Sequence, residues 1–478
     1  MNDDTSQSAV NPTVPRTYEE ALRYLCHPVS KAAYPPDPAP MKSLLARLDH
    51  PERRFRSVIV TGSVGKGTVA HLLAATLREA GIRAGLFTGP HLHYFRERMA
   101  IDGEPISVPA LVEQVGRIGL HAEQEPGRLS TFELTTALAF DWFAGRGVEV
   151  AVLEVGIGGR FDAVNFAPAE SAVIMPIELE HTTMLGDSLA AIAYHKAGVI
   201  PENGFAVVAP QSPEVLEVIV TTCQERGATL VETARGGRWN DPAHGAYHVS
   251  YGGASLRGQT PLLGRHNMLN IAIALAWVTQ AKARGYAVAP AHVAQAARHL
   301  RMPGRVEMVS GDGVSFLIDG AHTPTAAMAL AGTLESLSPP GPLTYLIGMS
   351  RDKNAPGFLR ALRVPERAGV VLTTFSGHRA MALDDLSHLA AEVGLKAQPI
   401  PDLGQAISEV VARHQGKGLV VATGSLHMAA QTRERLGLLS DELLAETLLN
   451  RSIFSGPEYL ALVDSDPSPD KVSRLPSR

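Results

Sequence analysis

The sequence predicts an α/β protein: a P-loop-containing, mostly parallel sheet domain followed by a smaller Rossmann-like α/β domain. Three observations predict it. Apolar, β-branched runs alternate with helical stretches, the pattern of a parallel sheet covered on both faces. A glycine-rich segment, Thr61-Gly62-Ser63-Val64-Gly65-Lys66-Gly67-Thr68, lies between one such run and an amphipathic stretch. The alternation then restarts after Arg301-Met302-Pro303-Gly304-Arg305.

In chain order, residues 1–16 read as a disordered arm, and Thr17 with Glu20 forms a capping box that opens a helix through Leu25. Residues 57–61 form a buried strand, 68–80 a helix closed by Gly81, and 86–88 a second strand. A helix is predicted over 135–143 and a third strand over 148–154. Val173-Ile174 and Ala206-Val207-Val208 lie in two more strands, and 267–281 is an alanine-rich apolar helix. The restart at 301 brings strands at 316–319, 344–347, 370–372 and 419–421. The reading is therefore a first domain over 17–300, a second over 301–445 and a tail over 446–478.

Apolar residues make up 45% of the 478 and charged residues 19%, a globular balance. A net charge of −5 with interspersed signs gives no basic field for nucleic acid or an anionic membrane. Cys26 and Cys223, the two cysteines, are too far apart in sequence to suggest a disulfide framework or a cysteine metal site. The opening residues lack a basic stretch followed by an apolar one, so no secretory signal is expected. No apolar run approaches the ~18 residues a membrane span needs. A cytoplasmic monomer is the expectation.

The segment Thr61–Thr68 suits a phosphate. Its glycines let N–H groups converge on phosphate oxygens at a helix start, Lys66 supplies charge, and the Thr68 hydroxyl can ligate Mg2+. Its spacing departs from the common phosphate loop, with two residues between Gly62 and Gly65 and Gly67 between Lys66 and Thr68. A metal-binding carboxylate is expected at the end of a neighbouring strand. Glu154, closing Val150-Ala151-Val152-Leu153, is the candidate, with Gly156, Gly158 and Gly159 after it.

These segments, with Gly89-Pro90-His91-Leu92, Phe95-Arg96-Glu97-Arg98, Thr131-Phe132-Glu133, Asp162-Ala163, His181-Thr182, Lys196-Ala197-Gly198, Pro303-Gly304-Arg305, Asp319-Gly320-Ala321-His322, Asp352-Lys353 and Thr423-Gly424-Ser425-Leu426, resemble the folylpolyglutamate/dihydrofolate synthase family of the Mur ligase group. The resemblance implies an ATP- and Mg2+-dependent amide ligase. It places Gly62, Ser63, Gly65, Lys66, Gly67 and Thr68 around the phosphates, Asn270 at adenine, Arg305 at a phosphate, Asp319 at the ribose and His322 at the nucleotide or incoming amino acid. It gives Thr68, Glu154 and His181 to two Mg2+ ions, a carbamate to Lys196, and substrate contacts to Phe132, Glu133, Arg160 and Ser425. Lys66, Glu154, His181 and Lys196 would carry catalysis. L-Glutamate would join a folate through an acyl phosphate, which a cleft between two domains would shield from water.

Several positions depart from that pattern: Val64 for Asn, Gly89 for Ser, Glu180 for Asp before His181, His195 for an acid before Lys196, and Thr323 for Asn. None removes a charge needed for ATP use. They leave open a ligase of the same type acting on a non-folate carboxylate, and a nucleotide-binding relative without turnover.

Overall fold

The computed structural model describes residues 14–26, 34–122, 124, 129–240, 245–311, 314–414 and 416–454. Most of the expected arm and tail, at 1–13 and 455–478, lies outside them.

The first sheet has eight strands: β1 (Arg56–Thr61), β2 (Ala84–Phe87), β3 (Met99–Ile101), β4 (Glu104–Pro105), β5 (Val150–Glu154), β6 (Ala169–Ile174), β7 (Phe205–Val208) and β8 (Thr229–Glu232). Their order is β4-β3-β2-β5-β1-β6-β7-β8. From β2 to β8 the neighbours run parallel; β3 and β4 add an antiparallel edge. Every residue of β5 and all but the first of β1 are buried, because helices cover both faces and a one-sided polar alternation has no place. On one face the helices Val108–Ala122 and Thr131–Gly145 pack Leu111, Leu138 and Phe140; on the other, Lys66–Glu79 and Arg265–Ala283 pack Leu73, Ile271 and Leu275.

Three antiparallel strands, β9 (Gly237–Asn240), β10 (Ala246–Tyr251) and β11 (Ala254–Gln259), form a small sheet that the sequence reading did not contain. Its buried Tyr247, Val249 and Leu256 join the core around Trp277.

The second lobe holds β12 (Glu307–Gly311), β13 (Val314–Ile318), β14 (Leu343–Ile347), β15 (Gly369–Leu372), β16 (Gln398–Pro399) and β17 (Leu419–Thr423), ordered β12-β13-β17-β14-β15-β16. All pairs are parallel except β12–β13. The expected strands all occur, with an extra antiparallel edge.

Residues 446–454, read as tail, instead end a helix, Asp441–Phe454, that returns to the first lobe. Glu446 accepts the Tyr18 hydroxyl at 2.7 Å and both Nε and Nη2 of Arg96, at 2.9 and 2.6 Å. Asn450 Oδ1 accepts Phe95 N–H at 2.8 Å, and Phe454 stacks on Phe95 with ring centroids 5.9 Å apart. Among the described residues, no helix is long and apolar enough to cross a membrane.

Candidate active site

Strand order places the site. β1 lies between β5 and β6, and Val60 stands opposite Glu154 in register. The turn after β1, the acid ending β5 and the segment after β6 therefore meet at the carboxyl edge of the sheet, where ligands of open α/β sheets bind. The helix Lys66–Glu79 starts there, two residues earlier than the sequence suggests.

Gly62 has φ 132°, and a Cβ on it would lie 2.5 Å from Met175 Cβ, so only glycine lets the loop descend onto β6. The Ser63 hydroxyl accepts Glu178 N–H at 3.0 Å. Lys66 Nζ donates to the carbonyls of Gly62 at 3.0 Å and Ser63 at 3.2 Å. Those are weak acceptors for an ammonium; a phosphate would offer stronger, charge-assisted ones. Asn270 is buried, with Oδ1 3.4 Å from the point a Cβ on Gly65 would occupy.

Glu154 is 6% exposed and accepts Gly89 N–H at 3.2 Å. Its carboxylate lies 3.5 Å from the point where a Cβ on Gly67 would sit. Burial raises its pKa, opposed by Lys66, the Gly89 N–H, Arg305 and Arg98. Arg305 comes from the second lobe, so its charge crosses to the phosphate-loop edge.

Lys196 is not an exposed helix lysine. It is 2% exposed in the helix Leu189–Ala197, and Nζ donates to Gly62 O and Glu180 Oε1, both at 2.7 Å. Two lysines thus share the Gly62 carbonyl. Burial, then repulsion from Lys66, pushes Lys196 down to about 8, against the pull of Glu180. Glu180 was noticed in the sequence only as a departure; its pairing with Lys196 comes from the fold. His181 stands just before the short helix Thr182–Leu185 with φ 47°, makes no side-chain cap to it, and is exposed.

In the second lobe Asp319 is buried. Oδ2 accepts Val306 N–H at 2.8 Å and Oδ1 accepts Ala321 N–H at 2.9 Å, so this acid ties the Arg305 turn to its own. Arg305 Nη1 lies 3.5 Å from the point a Cβ on Gly320 would occupy. His322 Nδ1 bonds Gly320 O at 2.8 Å.

The remaining candidates are engaged with other partners. The Glu133 carboxylate accepts Ser130 N–H and hydroxyl, both at 2.8 Å, as half of a capping box for the helix Thr131–Gly145. Ser425 Oγ caps the helix Leu426–Arg435 through His427 N–H and bonds Ser350 Oγ at 3.1 Å. The Arg160 guanidinium folds onto Tyr194. Phe132 is half-buried, 5.8 Å from the Phe87 ring and against Gly156.

The donor set fits a magnesium nucleotide. Thr68 and Glu154 present hard oxygens beside a phosphate loop, and among the described residues no three His, Cys, Asp or Glu side chains gather into a cage. Mg2+ is usually held in this way, by one or two protein oxygens plus phosphates and water.

Comparison with known proteins decides the family. Residues 60–278 match the Mur ligase middle domain, and 304–426 match the Mur ligase glutamate ligase domain. The folylpolyglutamate synthase of Lacticaseibacillus casei is 30% identical over 434 residues, covering 88% of this chain and 98% of that protein. The chain belongs to the folylpolyglutamate synthase/dihydrofolate synthase family. A probable bifunctional folylpolyglutamate synthase/dihydropteroate synthase of Haloferax volcanii is 32% identical over 434 residues; this chain spans 50% of its length. The crystal structure of the bifunctional folylpolyglutamate synthase/dihydrofolate synthase of Yersinia pestis, complexed with AMPPNP and Mn ion, superposes with TM-score 0.78 at 28% identity, covering 89% of this chain and 99% of that one. The chain is thus a Mur-type ligase that forms carbon–nitrogen bonds with a nucleotide and a divalent metal.

Proposed function

We propose that this ligase joins L-glutamate to the carboxylate of a folate, extending tetrahydrofolate polyglutamates, converting dihydropteroate to dihydrofolate, or both. The observation that carries the reading is the convergence of Lys66, Lys196 and Glu154 on the phosphate loop, under the charge of Arg305 from the other lobe. Lys66 and Arg305 neutralise the transferring phosphoryl group as the acceptor carboxylate attacks the γ-phosphorus. The amine of glutamate then attacks the acyl phosphate carbonyl and phosphate leaves. Thr68, Glu154 and His181 would hold the Mg2+ ions, which offset charge on the phosphate oxygens. Asn270 and His322 bind the nucleotide, and Asp319 shapes the turn that faces its ribose. Phe132, Glu133, Arg160 and Ser425 border the acceptor or amino acid.

Lys196 becomes an anionic carbamate in the active enzyme. A buried amine pushed to about 8 is partly neutral near neutral pH, and a neutral amine reacts with carbon dioxide. The catalytic unit is a cytoplasmic monomer of two domains, 17–300 and 301–445.

Mass spectrometry of a reaction with ATP, Mg2+, glutamate and tetrahydrofolate tests this. A gain of one glutamyl unit is expected; ATP-dependent phosphate release with other acids but none with folates would overturn it. The second reading, a non-folate carboxylate, draws on Glu180 and His195, which give Lys196 and its surroundings a different lining from the one the resemblance implies.

A further inference from the structure

The loop from Gly89 to Arg98, between β2 and β3, touches both halves of the site. At its start Gly89 N–H donates to Glu154 at 3.2 Å. Glu97 holds its middle: Oε2 accepts Leu92 N–H at 2.7 Å and Oε1 accepts His93 N–H at 3.0 Å. The two residues so fixed meet the second lobe. Leu92 packs on the Arg305 turn, where a Cβ on Gly304 would lie 3.4 Å from both of its methyl carbons. His93 is 8% exposed, and its Nε2 accepts Arg433 Nε–H at 3.1 Å, from the helix Leu426–Arg435. Arg433 Nη1 donates in turn to Glu307 Oε1, and Glu307 Oε2 accepts Gly304 N–H at 2.8 Å. A run of hydrogen bonds thus leads from a first-lobe histidine to the residue before Arg305.

The direction of each bond is fixed by its chemistry. A guanidinium only donates, so His93 Nε2 carries the lone pair and a neutral ring holds its proton on Nδ1. That Nδ1 lies 3.6 Å from Glu434 Oε1, too far for a hydrogen bond. Glu434 is taken by Arg451 of the last helix. Arg433 and Arg451 therefore balance Glu307 and Glu434, and a neutral histidine adds no charge to the group. Arg433 reaches His93 with one N–H and Glu307 with another, and its rigid plane holds the two at a set spacing.

We propose that His93 is a positioning residue for phosphoryl transfer: by accepting from Arg433 it fixes Glu307 and the Gly304 turn, and so aims Arg305 at the phosphate-loop edge. The inference rests on the ligase reading and on the part Arg305 takes in it. One loop then sets Glu154 and Arg305 against each other, Gly89 holding the first and Leu92 with His93 the second. Without an acceptor at 93, Arg433 keeps a buried N–H that has lost its partner, and the turn loses its hold on the first lobe. A charge misplaced by about 1 Å is enough to slow a reaction on the order of 10²-fold.

The test measures phosphate release with ATP, Mg2+, tetrahydrofolate and glutamate, and calorimetric binding of AMPPNP with Mg2+, which needs no acceptor. His93→Phe keeps a ring and removes the lone pair; it should lower kcat about tenfold or more and leave the KM for tetrahydrofolate within about twofold. His93→Gln, whose side-chain oxygen can accept in place of Nε2, should recover to within about threefold of wild type. Arg433→Lys keeps the charge and loses the Nε–H, so it should resemble His93→Phe, and it reads the same link if His93→Phe fails to fold. Arg305→Ala and His93→Phe should each weaken AMPPNP. In the Arg305→Ala background, His93→Phe should cost less than about twofold in either readout, because the group it aims is gone. Losses that multiply in the double variant overturn the proposal, as do wild-type kcat in both His93→Phe and Arg433→Lys, a His93→Gln as slow as His93→Phe, or an Arg305→Ala that behaves as wild type. A wild type that releases no phosphate with tetrahydrofolate, while AMPPNP binding follows the same non-additive pattern, sinks the folate reading and leaves the positioning role standing.

Discussion

Glu154 and Asp319 are both buried acids at the ends of parallel strands, one in each lobe, and their oxygens are spent differently. Glu154 accepts a single backbone N–H among the described residues, that of Gly89, and Lys66, Arg305 and Arg98 act on it. Asp319 gives one oxygen to Val306 N–H and the other to Ala321 N–H. An acid surrounded by cations and lightly bonded is arranged for a ligand that brings its own charge. An acid with both oxygens bonded to backbone fastens its loop. Residue type and strand position alone do not separate the two; hydrogen-bond partners do.

The contrast can be broken first at the lysine facing Glu154. Lys66→Ala should cut turnover on the order of 10³-fold or more, with an unchanged circular dichroism spectrum; activity within about tenfold of wild type would mean the loop holds no phosphate. Lys196→Ala should be nearly inactive yet folded, with partial rescue by short carboxylates and reversible loss of wild-type activity on removing carbon dioxide. Full activity of that variant would eliminate the carbamate.

Glu154→Gln keeps the shape and removes the charge. Turnover should fall by about 10²-fold or more and the Mg2+ requirement should rise, while thermal stability holds or increases because a buried charge is gone. Asp319→Ala should do the reverse. It strands two N–H groups, each worth about 1–3 kcal/mol, so chemical denaturation should show a clear loss of stability and weaker ATP binding as its consequence. Weaker ATP binding at unchanged stability would instead indicate a direct ribose contact. The smallest effect belongs to Gly89→Ser. Its Cβ would lie 3.4 Å from Arg98 Nη1, the mobile end of a long side chain, so turnover should stay within about threefold and saturate at lower Mg2+. Inactivity through a clash would show that this loop sits differently from the family's.

The sequence was legible where local chemistry and global position agree. The run Val150–Glu154 announces a buried strand closed by an acid, and the fold sets it beside the phosphate loop. Arg305 and Asp319 were found through resemblance, since nothing in their spacing from Lys66 says that the lobes meet. Glu133 shows what resemblance alone leaves out: Ser130 and Glu133 form a capping box that starts the helix Thr131–Gly145, a local role that the spacing Ser-x-x-Glu carries by itself. The small sheet went unread because Gly237–Asn240 and Ala254–Gln259 are short, glycine-containing and polar, and only Leu256 among them is a buried apolar side chain. Residues 446–454 of the helix Asp441–Phe454 were taken for tail because its buried face includes Thr447 and Asn450, which no apolar periodicity reveals.

That helix changes the mechanics of the cleft. The polypeptide passes from the first lobe to the second near residue 300 and comes back near 440, where Tyr18, Phe95 and Arg96 receive it. One crossing would be a tether, leaving the lobes free to slide, twist and splay. Two crossings act as a pair of pivots, and the easy motion left to two stiff bodies so joined is a swing about the line between them. The Arg305 charge can then leave and regain Glu154 along one arc, so the last helix of the chain, far from any phosphate, sets the path by which the two halves of the site meet.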